Sequence, residues 1–521
     1  MHLQTLPSTL YVRGGYLLTQ RPDLTPLAMN PEIFNSSLVT PGYFFVGPFG
    51  NNQAGPAIYD NQGHLVWTGY GSSGPPTANS FIVCDYGDVD RLCMFQGNQV
   101  GGHGYGHGVI MDNQYNIVHS VHAGDRSGSI DSHEFNMVKN GSSVLVTQYF
   151  PQRYDLSDNG ITNGQGWVID GLFQELDVET GSVIFEWSAL DHVALNETYV
   201  VMNQGNSGDG LSAATAYDWF HINAVDINAD GDYYMSARHT SCIYKINHNN
   251  GDIIWRLGGS QSTFDIQGFN FSYQHDVRVV SDNSSTVVLT LFDNAANELN
   301  QSSLQSSGKM VQIDLDSKVA TQIQAFYAPN GGLLSQSQGN TQILPNGNVV
   351  VGWGNHPYLG EFSSDGKCLW WSQIGNLDEA YVVQNYRAYK FNFTSNPLTR
   401  PAVYSYALNS SGSAPTSIYV SWNGATEVGS WNFFSATSPL GPFSSIGNTI
   451  RDNFESMMTY SSYAAFVIAE AVDVNGAPLA NSSVTPTFVP GDSLAISCNM
   501  TGCPTVMTYG GAQNILSVGD L

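Results

Sequence analysis

Six times the chain passes through the same short pattern. A strand of β-branched and aromatic residues leads into a polar turn of Asp, Asn or Ser, usually with a Gly, and a second strand follows that often ends in Trp or Phe. The copies are AIYDNQGHLVW (57–67), GVIMDNQYNIVHSV (108–121), LFQELDVETGSVIFEW (172–187), IYKINHNNGDIIWRL (243–257), MVQIDLDSKVATQIQAF (310–326) and YLGEFSSDGKCLWWSQ (358–373). Helical periodicity is scarce between them, and Gly, Asn and Asp turns punctuate short strands throughout. Hairpins recurring at irregular intervals of about 50 to 70 residues fit a ring of small sheets with loop insertions, a propeller. The expected fold is therefore all-β, with a six-bladed β-propeller over residues 1–395. Each hairpin would form the outer pair of a four-stranded blade. The inner strands would come from segments such as WFHINAVDI, YYMSARH, STVVLTLFDN and TQILPNGNVVVGWG.

Composition shifts after about residue 395. SIYVSWNGATEVGSWNFFSA and SSYAAFVIAEAVDVNGAPLANSS predict a small β-sandwich of the fibronectin or immunoglobulin kind over 396–485, with Trp422 or Trp431 in its core. The Gly/Ser/Thr-rich remainder, 486–521, is expected to be a tail stapled by Cys498 and Cys503.

The charge balance excludes some partners. With 17 basic against 43 acidic residues, the net charge is −26, and no basic footprint for nucleic acid exists. No apolar run approaches the roughly 20 residues of a membrane span. Cys84 and Cys93 are spaced to close a small loop, whereas Cys242 and Cys368 read equally as a bonded pair or as two buried thiols. Ten N-x-S/T sites, at Asn35, Asn140, Asn196, Asn270, Asn283, Asn300, Asn392, Asn409, Asn481 and Asn499, point to N-linked glycans on a secreted protein. Residues 1–20 lack a basic-then-apolar signal, so the expectation is a mature chain beginning near here behind an introduced Met.

Histidines sit where strands should be apolar: His133 in DSHEF, His221 in WFHIN, His239 after Arg238 in SARH, His275 in YQHD, His356 in WGNHP, and His103 with His107 in GGHGYGHG. Buried polar groups are expensive unless paired or in use, and one alone reads as a satisfied structural histidine. Several on inner strands of different blades would instead meet in one channel. Neutral imidazoles with one guanidinium suit an oxyanion carrying a transferable centre. Arg238 can hold two oxygens in a fork, one imidazole can attack, and others can exchange protons. Asp226, Asn228 and Asp230 match the first half of a calcium loop, but Ala237 stands where its twelfth-position Glu should be, so a tight polar turn is preferred. Zinc at His103 and His107 is disfavoured by intervening glycines and the want of further ligands at the right spacing. No other cofactor is expected.

Four segments carry a family resemblance: DWFHINAVDINADGDYYMSARHTSCIYKINHNNGDIIWRLGG, FSYQHDVRVVSDNSSTVVLTLFDNAAN, GNTQILPNGNVVVGWGNHPYLGEFSSDG and QNYRAYKF. Together with SWNGATEVGSW they resemble the arylsulfotransferase family in its eukaryotic, mostly fungal branch, over about residues 20–480. The resemblance implies a six-bladed propeller. It also implies sulfuryl transfer from an aryl sulfate ester to a phenol, without a nucleotide donor, through a sulfohistidine. Carried over by motif, His275 is the nucleophile, His221 and Arg238 bind and polarise the sulfate, Asn223 is an accessory donor, and His133 is a further active-site histidine. His239 and His356 are candidate substrate-binding residues. Two other readings fit the same residues: a lyase on uronate-containing glycans, with Arg238 on the carboxylate, and a non-catalytic propeller that binds a glycan or protein.

Overall fold

The computed structural model describes residues 10–12, 15–19, 21–71, 77–124, 128–162, 164–375 and 382–491. Among these, helix is confined to four 3-10 turns of three residues each. The rest is strand and turn, as the hairpin pattern requires.

The chain divides into two compact units. The larger comprises Met29–Gln62 and Gly69–Phe393. The smaller comprises Thr394 onward, Gly63–Thr68 and the described residues up to Ala28. Beside the expected cut at 395/396, two N-terminal segments group with the C-terminal unit. Leu65–Thr68, the second half of the first hairpin, is one of them.

In the larger unit six sheets follow one another, numbered here I to VI by their innermost strands. These strands are Thr77–Asp85, Phe135–Val138, Ile222–Ile227, His275–Asp282, Asn340–Ile343 and Tyr389–Phe391. Sheets I to V each run antiparallel from that strand through the next three in sequence. Five of the recurring hairpins form the third and fourth strands of these sheets, Ile117–Val121, Val183–Ser188, Ile253–Gly258, Val319–Tyr327 and Cys368–Ile374 being the outermost of each pair. The two ends of the larger unit complete the set. Met29–Phe34 adds to the outside of sheet V, and Tyr389–Phe391 pairs with Tyr43–Val46, which pairs with Ala57–Tyr59. Innermost strands of successive sheets are neighbours, those of V and VI through Gln342 Nε2, which donates to the Lys390 carbonyl at 3.0 Å, and that of sheet VI lies beside that of sheet I. The arrangement is propeller-like.

The cores lie between successive sheets. Phe173, Trp187, Trp219, Phe220, Tyr233 and Tyr244 fill the space between sheets II and III, and Phe292, Phe326, Trp353, Phe362 and Trp371 that between IV and V. Each such fully buried side chain contributes about 1.5–3 kcal/mol. Neighbouring sheets are also pinned by directed bonds. Trp187 Nε1 donates to the carbonyl of Gly251 at 3.0 Å, in a turn where Gly251 takes φ +78°, a conformation open to glycine.

The smaller unit holds two antiparallel sheets. One is Ala402–Ala407, Thr416–Ser421 and Ser456–Tyr460; the other centres on Ser430–Ala436 and Phe466–Val472, flanked by Ser444–Ile450 and Pro478–Asn481. Trp422 and Trp431 both enter its core, with Ile418, Val420, Phe433 and Val467. Cys498 and Cys503 lie outside the described residues. Cys84 and Cys93, on adjacent strands of sheet I, form a disulfide, while Cys242 and Cys368 are free thiols.

Candidate functional site

Side chains from one end of each sheet reach the axis by two routes. The first is the run-in to an innermost strand, which supplies His133, Asp218, His221, His275, Gln338 and Tyr386. The second is the turn after a second strand, which supplies Arg238, His239, Glu298 and Asn355. All of these line one cavity of about 490 Å³. Several residues at the starts of these innermost strands take positive φ: His221 (60°), Tyr273 (53°), Asp276 (56°) and Gln338 (65°). Non-glycine residues hold this conformation only where their surroundings enforce it, commonly at functional sites.

Three imidazoles are anchored through Nδ1. His275 donates Nδ1–H to Asn294 Oδ1 at 2.7 Å. Asn294 cannot turn over, because its amide donates to the carbonyls of Ser335 and Gln338, both at 2.9 Å. The proton of His275 is therefore on Nδ1, and its Nε2 is the basic nitrogen, whose lone pair accepts a long bond from the Gln338 N–H at 3.2 Å. Burial, with Arg238 beside it, holds His275 well below the usual histidine range. His221 Nδ1 lies 2.5 Å from Asp218 Oδ2, and burial takes it down to about 4 despite that carboxylate. His133 Nδ1 lies 2.5 Å from Asp131 Oδ1, which also accepts the His133 N–H at 2.8 Å. The rings of His133 and His221 are 4.8 Å apart, and Tyr386 packs 5.5 Å from His133 and 6.3 Å from His275.

Asp218 joins two further histidines. His103 Nε2 stands 3.1 Å from the same Oδ2; burial opposes its charged form, but Asp218 prevails and raises it. Burial alone would raise Asp218, yet His221, His239 and His103 together hold it well below the usual carboxylate range. His239 donates Nδ1–H to the Asp218 carbonyl at 2.6 Å and accepts from Arg238 Nη1 at Nε2, 2.8 Å. Burial takes it down to about 3. Its two nitrogens are thus spent on aiming Arg238, whose Nη2 donates to the Gln336 carbonyl at 3.0 Å. Arg238 keeps Nε–H unpartnered among the described residues, and its protein acceptors are neutral.

The remaining expected site residues lie elsewhere. Asn223 is fully buried, donates to the Gln274 carbonyl at 2.7 Å and does not line the cavity. His356 bonds the Leu334 carbonyl at 3.0 Å, and its neighbour Asn355 lines the cavity in its place. His107 stacks on His122 with ring centres 5.3 Å apart, away from His103. At the calcium-like turn, Asn228 Oδ1 accepts the N–H groups of Asp230 and Asp232 at 3.1 and 2.8 Å, and Asp226 accepts the Val279 N–H at 2.8 Å. Among the described residues the set with metal-ligand spacing is His103, Asp218 and His221, whose ligand atoms lie within 4.8 Å of one another. These atoms already share two hydrogen bonds.

Sequence reasoning passed over the anchors. Asp131 and Asp218 stand two and three residues before their histidines, a spacing visible in DSHEF and DWFHIN. It also passed over a buried ion cluster. Arg387 pairs with Glu134 at 2.9 Å, lies 3.3 Å from Asp276, and donates to the carbonyls of His133 and Asn223 at 2.9 and 2.7 Å. Arg278 bridges the same two carboxylates at 2.9 and 2.8 Å. Glu134 and Asp276 directly follow His133 and His275, so the cluster fixes the backbone from which both imidazoles project.

Comparison with solved structures returns slight likenesses. A Bacteroides caccae protein of unknown function is 15% identical, with 68% of this chain and 100% of that one covered and a TM-score of 0.41. A catalytically inactive virginiamycin B lyase from Staphylococcus aureus with quinupristin is 10% identical, covering 75% and 91%, TM-score 0.28. A GH43 protein from Bacillus licheniformis is 8% identical, covering 78% and 89%, TM-score 0.27. At these values the likeness carries no functional argument. No curated protein matches. The family description "Arylsulfotransferase (ASST)", in contrast, matches residues 87–375, more than half of the 521 residues and the stretch that holds His133, His221, His239, His275, Arg238 and Asn294. The chain belongs to the arylsulfotransferase family.

Proposed function

We propose that this chain moves a sulfuryl group from an aryl sulfate ester to a phenol in two steps, without a nucleotide, through a sulfohistidine at His275. The observation that carries the proposal is the fixed tautomer of His275. With Nδ1–H held by Asn294, the basic nitrogen is Nε2, on a ring that lines the cavity together with Arg238, and attack requires the 3.2 Å bond from the Gln338 N–H to give way. In the first step Nε2 attacks sulfur, the S–O(aryl) bond breaks, and the electron pair leaves on the phenolate. Arg238 binds the sulfuryl oxygens, on which charge builds. The ring keeps its Nδ1–H, whose positive charge the Asn294 carbonyl tolerates. In the second step the acceptor phenol gives its proton to Nε2 of neutral His221 and its oxygen attacks sulfur. The S–Nε2 bond then breaks and returns its pair to His275. Asp218 at Nδ1 stabilises the His221 imidazolium that forms. His133, anchored likewise on Asp131, is a second proton carrier on the same wall.

The six sheets support a six-bladed propeller, the two-sheet C-terminal unit supports a sandwich-like module, and the quoted motifs favour the eukaryotic, mostly fungal branch. Secretion with N-linked glycans is supported by the Cys84–Cys93 disulfide and by the exposure of eight of the nine described sequon asparagines, all but half-buried Asn35. The test is a spectrophotometric assay with 4-nitrophenyl sulfate and a simple phenol. Nitrophenolate release should depend on the phenol and vanish in His275→Asn. Release that ignores the phenol, or survives the substitution, would refute the proposal.

A further inference from the structure

Apart from its histidines, the cavity wall carries three formal charges, on Asp218, Arg238 and Glu298. Asp218 is turned to the imidazoles of His221 and His103, at 2.5 and 3.1 Å. Arg238 is bonded to neutral acceptors, a histidine nitrogen and a carbonyl. Glu298 differs from every other group that meets Arg238. It comes from the loop after the second strand of sheet IV, its Oε2 stands 3.9 Å from Arg238 Nη2, and Asn206 donates to its Oε1 at 3.1 Å. Its side chain is 40% exposed, against 8% for Arg238. At 3.9 Å the pair is too far apart for a hydrogen bond, so Glu298 takes up none of the N–H groups of Arg238 left over from His239 and Gln336, while a fixed negative charge stands beside them.

An anion that takes the Arg238 fork therefore meets one positive and one negative charge. Those two cancel, so each negative charge on the ligand is in excess and faces the Glu298 carboxylate at close range in a largely buried site, once for a monoanion and twice for a dianion. There, two like charges about 6 Å apart at an effective dielectric of 20 to 40 disfavour binding by about tenfold to a hundredfold.

We propose that Glu298 sets a charge limit on this cavity, so that it accepts monoanionic oxyesters, the sulfate class, and turns away dianionic ones such as phosphate monoesters. The inference rests on the sulfuryl-transfer reading for placing the anion at Arg238, and it adds the group that chooses between two oxyanions of nearly the same shape. A guanidinium fork grips both alike. Shape and hydrogen bonding cannot separate them here, and charge can.

The probes are benzenesulfonate and phenylphosphonate, which no S–O or P–O cleavage can consume. Their binding is measured by calorimetry at about pH 8.5, where the phosphonate is doubly ionised, on the full chain and on Glu298→Gln. Gln keeps the bond from Asn206 and removes the charge. The expected result is benzenesulfonate binding at least about tenfold tighter than phenylphosphonate to the unaltered protein, with the gap closing to about threefold or less in Glu298→Gln through tighter phosphonate binding. A gap that Glu298→Gln leaves unchanged, or no gap at all, overturns the charge limit. Phenol-dependent turnover of 4-nitrophenyl sulfate by the unaltered protein would still uphold sulfuryl transfer in either case. Failure of both probes to bind, together with absent turnover, would overturn both.

Discussion

The buried neutral histidines make acid stability a direct test of the site. His221, His239 and His275 ordinarily titrate near 6.5, but in the fold they stay neutral to about 4, to about 3, and to well below the usual range. As the pH falls below 6.5 the unfolded chain takes up these protons and the fold does not. Stability is therefore present above 6.5 and is lost as pH falls, by about 1.4 kcal/mol per pH unit for each histidine. Between pH 6.5 and about pH 5 the loss is about 2 kcal/mol per histidine and about 6 kcal/mol for the three. His103 has the opposite sign, but its contribution is fully present below 6.5 and fades only as pH rises through its raised value, so it adds no slope in this window. The depressed carboxylates Asp131, Glu134 and Asp218 act below the window, whereas Asp226 and Asp293, raised by burial, bind protons earlier in the fold than in the unfolded chain and so oppose the loss. Guanidinium melts at pH 6.5 and about pH 5, read by tryptophan fluorescence, isolate a single term. His275→Asn should lose about 2 kcal/mol less than the unaltered chain across the interval. Equal losses would mean that His275 is not held neutral, and the nucleophile argument would fall with it.

Other consequences follow from single residues. Arg387→Met leaves Glu134 and Asp276 with Arg278 alone and strips the His133 and Asn223 carbonyls of a donor, so denaturant melts should show a loss of about 3–5 kcal/mol. Arg238→Lys keeps the charge but loses the fork and the bond to His239, and kcat/KM for 4-nitrophenyl sulfate should fall by about 100-fold or more. Reducing or replacing the Cys84–Cys93 bridge, which closes a nine-residue separation, should lower stability by about 2–3 kcal/mol while activity at low temperature persists.

What the sequence made legible was local. The hairpins stood out because period-two alternation and Asn/Asp/Gly turns are written in adjacent residues. His221, Arg238 and His275 stood out because polar groups interrupt apolar strands. Partners brought in from other sheets left no such mark. Asn294 follows a strand that reads as ordinary core, and Arg387 meets Glu134 across 253 positions. His239 matched a substrate-binding pattern, yet both its nitrogens serve the backbone and Arg238, a use that only the three-dimensional path of Asp218 reveals. Nor does composition separate Gly63–Thr68 from its surroundings, since Leu65–Thr68 has the residues of any buried strand.

The central claim is a covalent intermediate on His275, and mass spectrometry of the intact protein addresses it most directly. The chain is mixed with 4-nitrophenyl sulfate in the absence of a phenol acceptor and quenched within the first turnover. The account predicts a burst of nitrophenolate matched by a mass gain of one SO3 group, mapped to the peptide containing His275 and lost on adding phenol. A burst without the adduct, or an adduct that persists in His275→Asn, would contradict it.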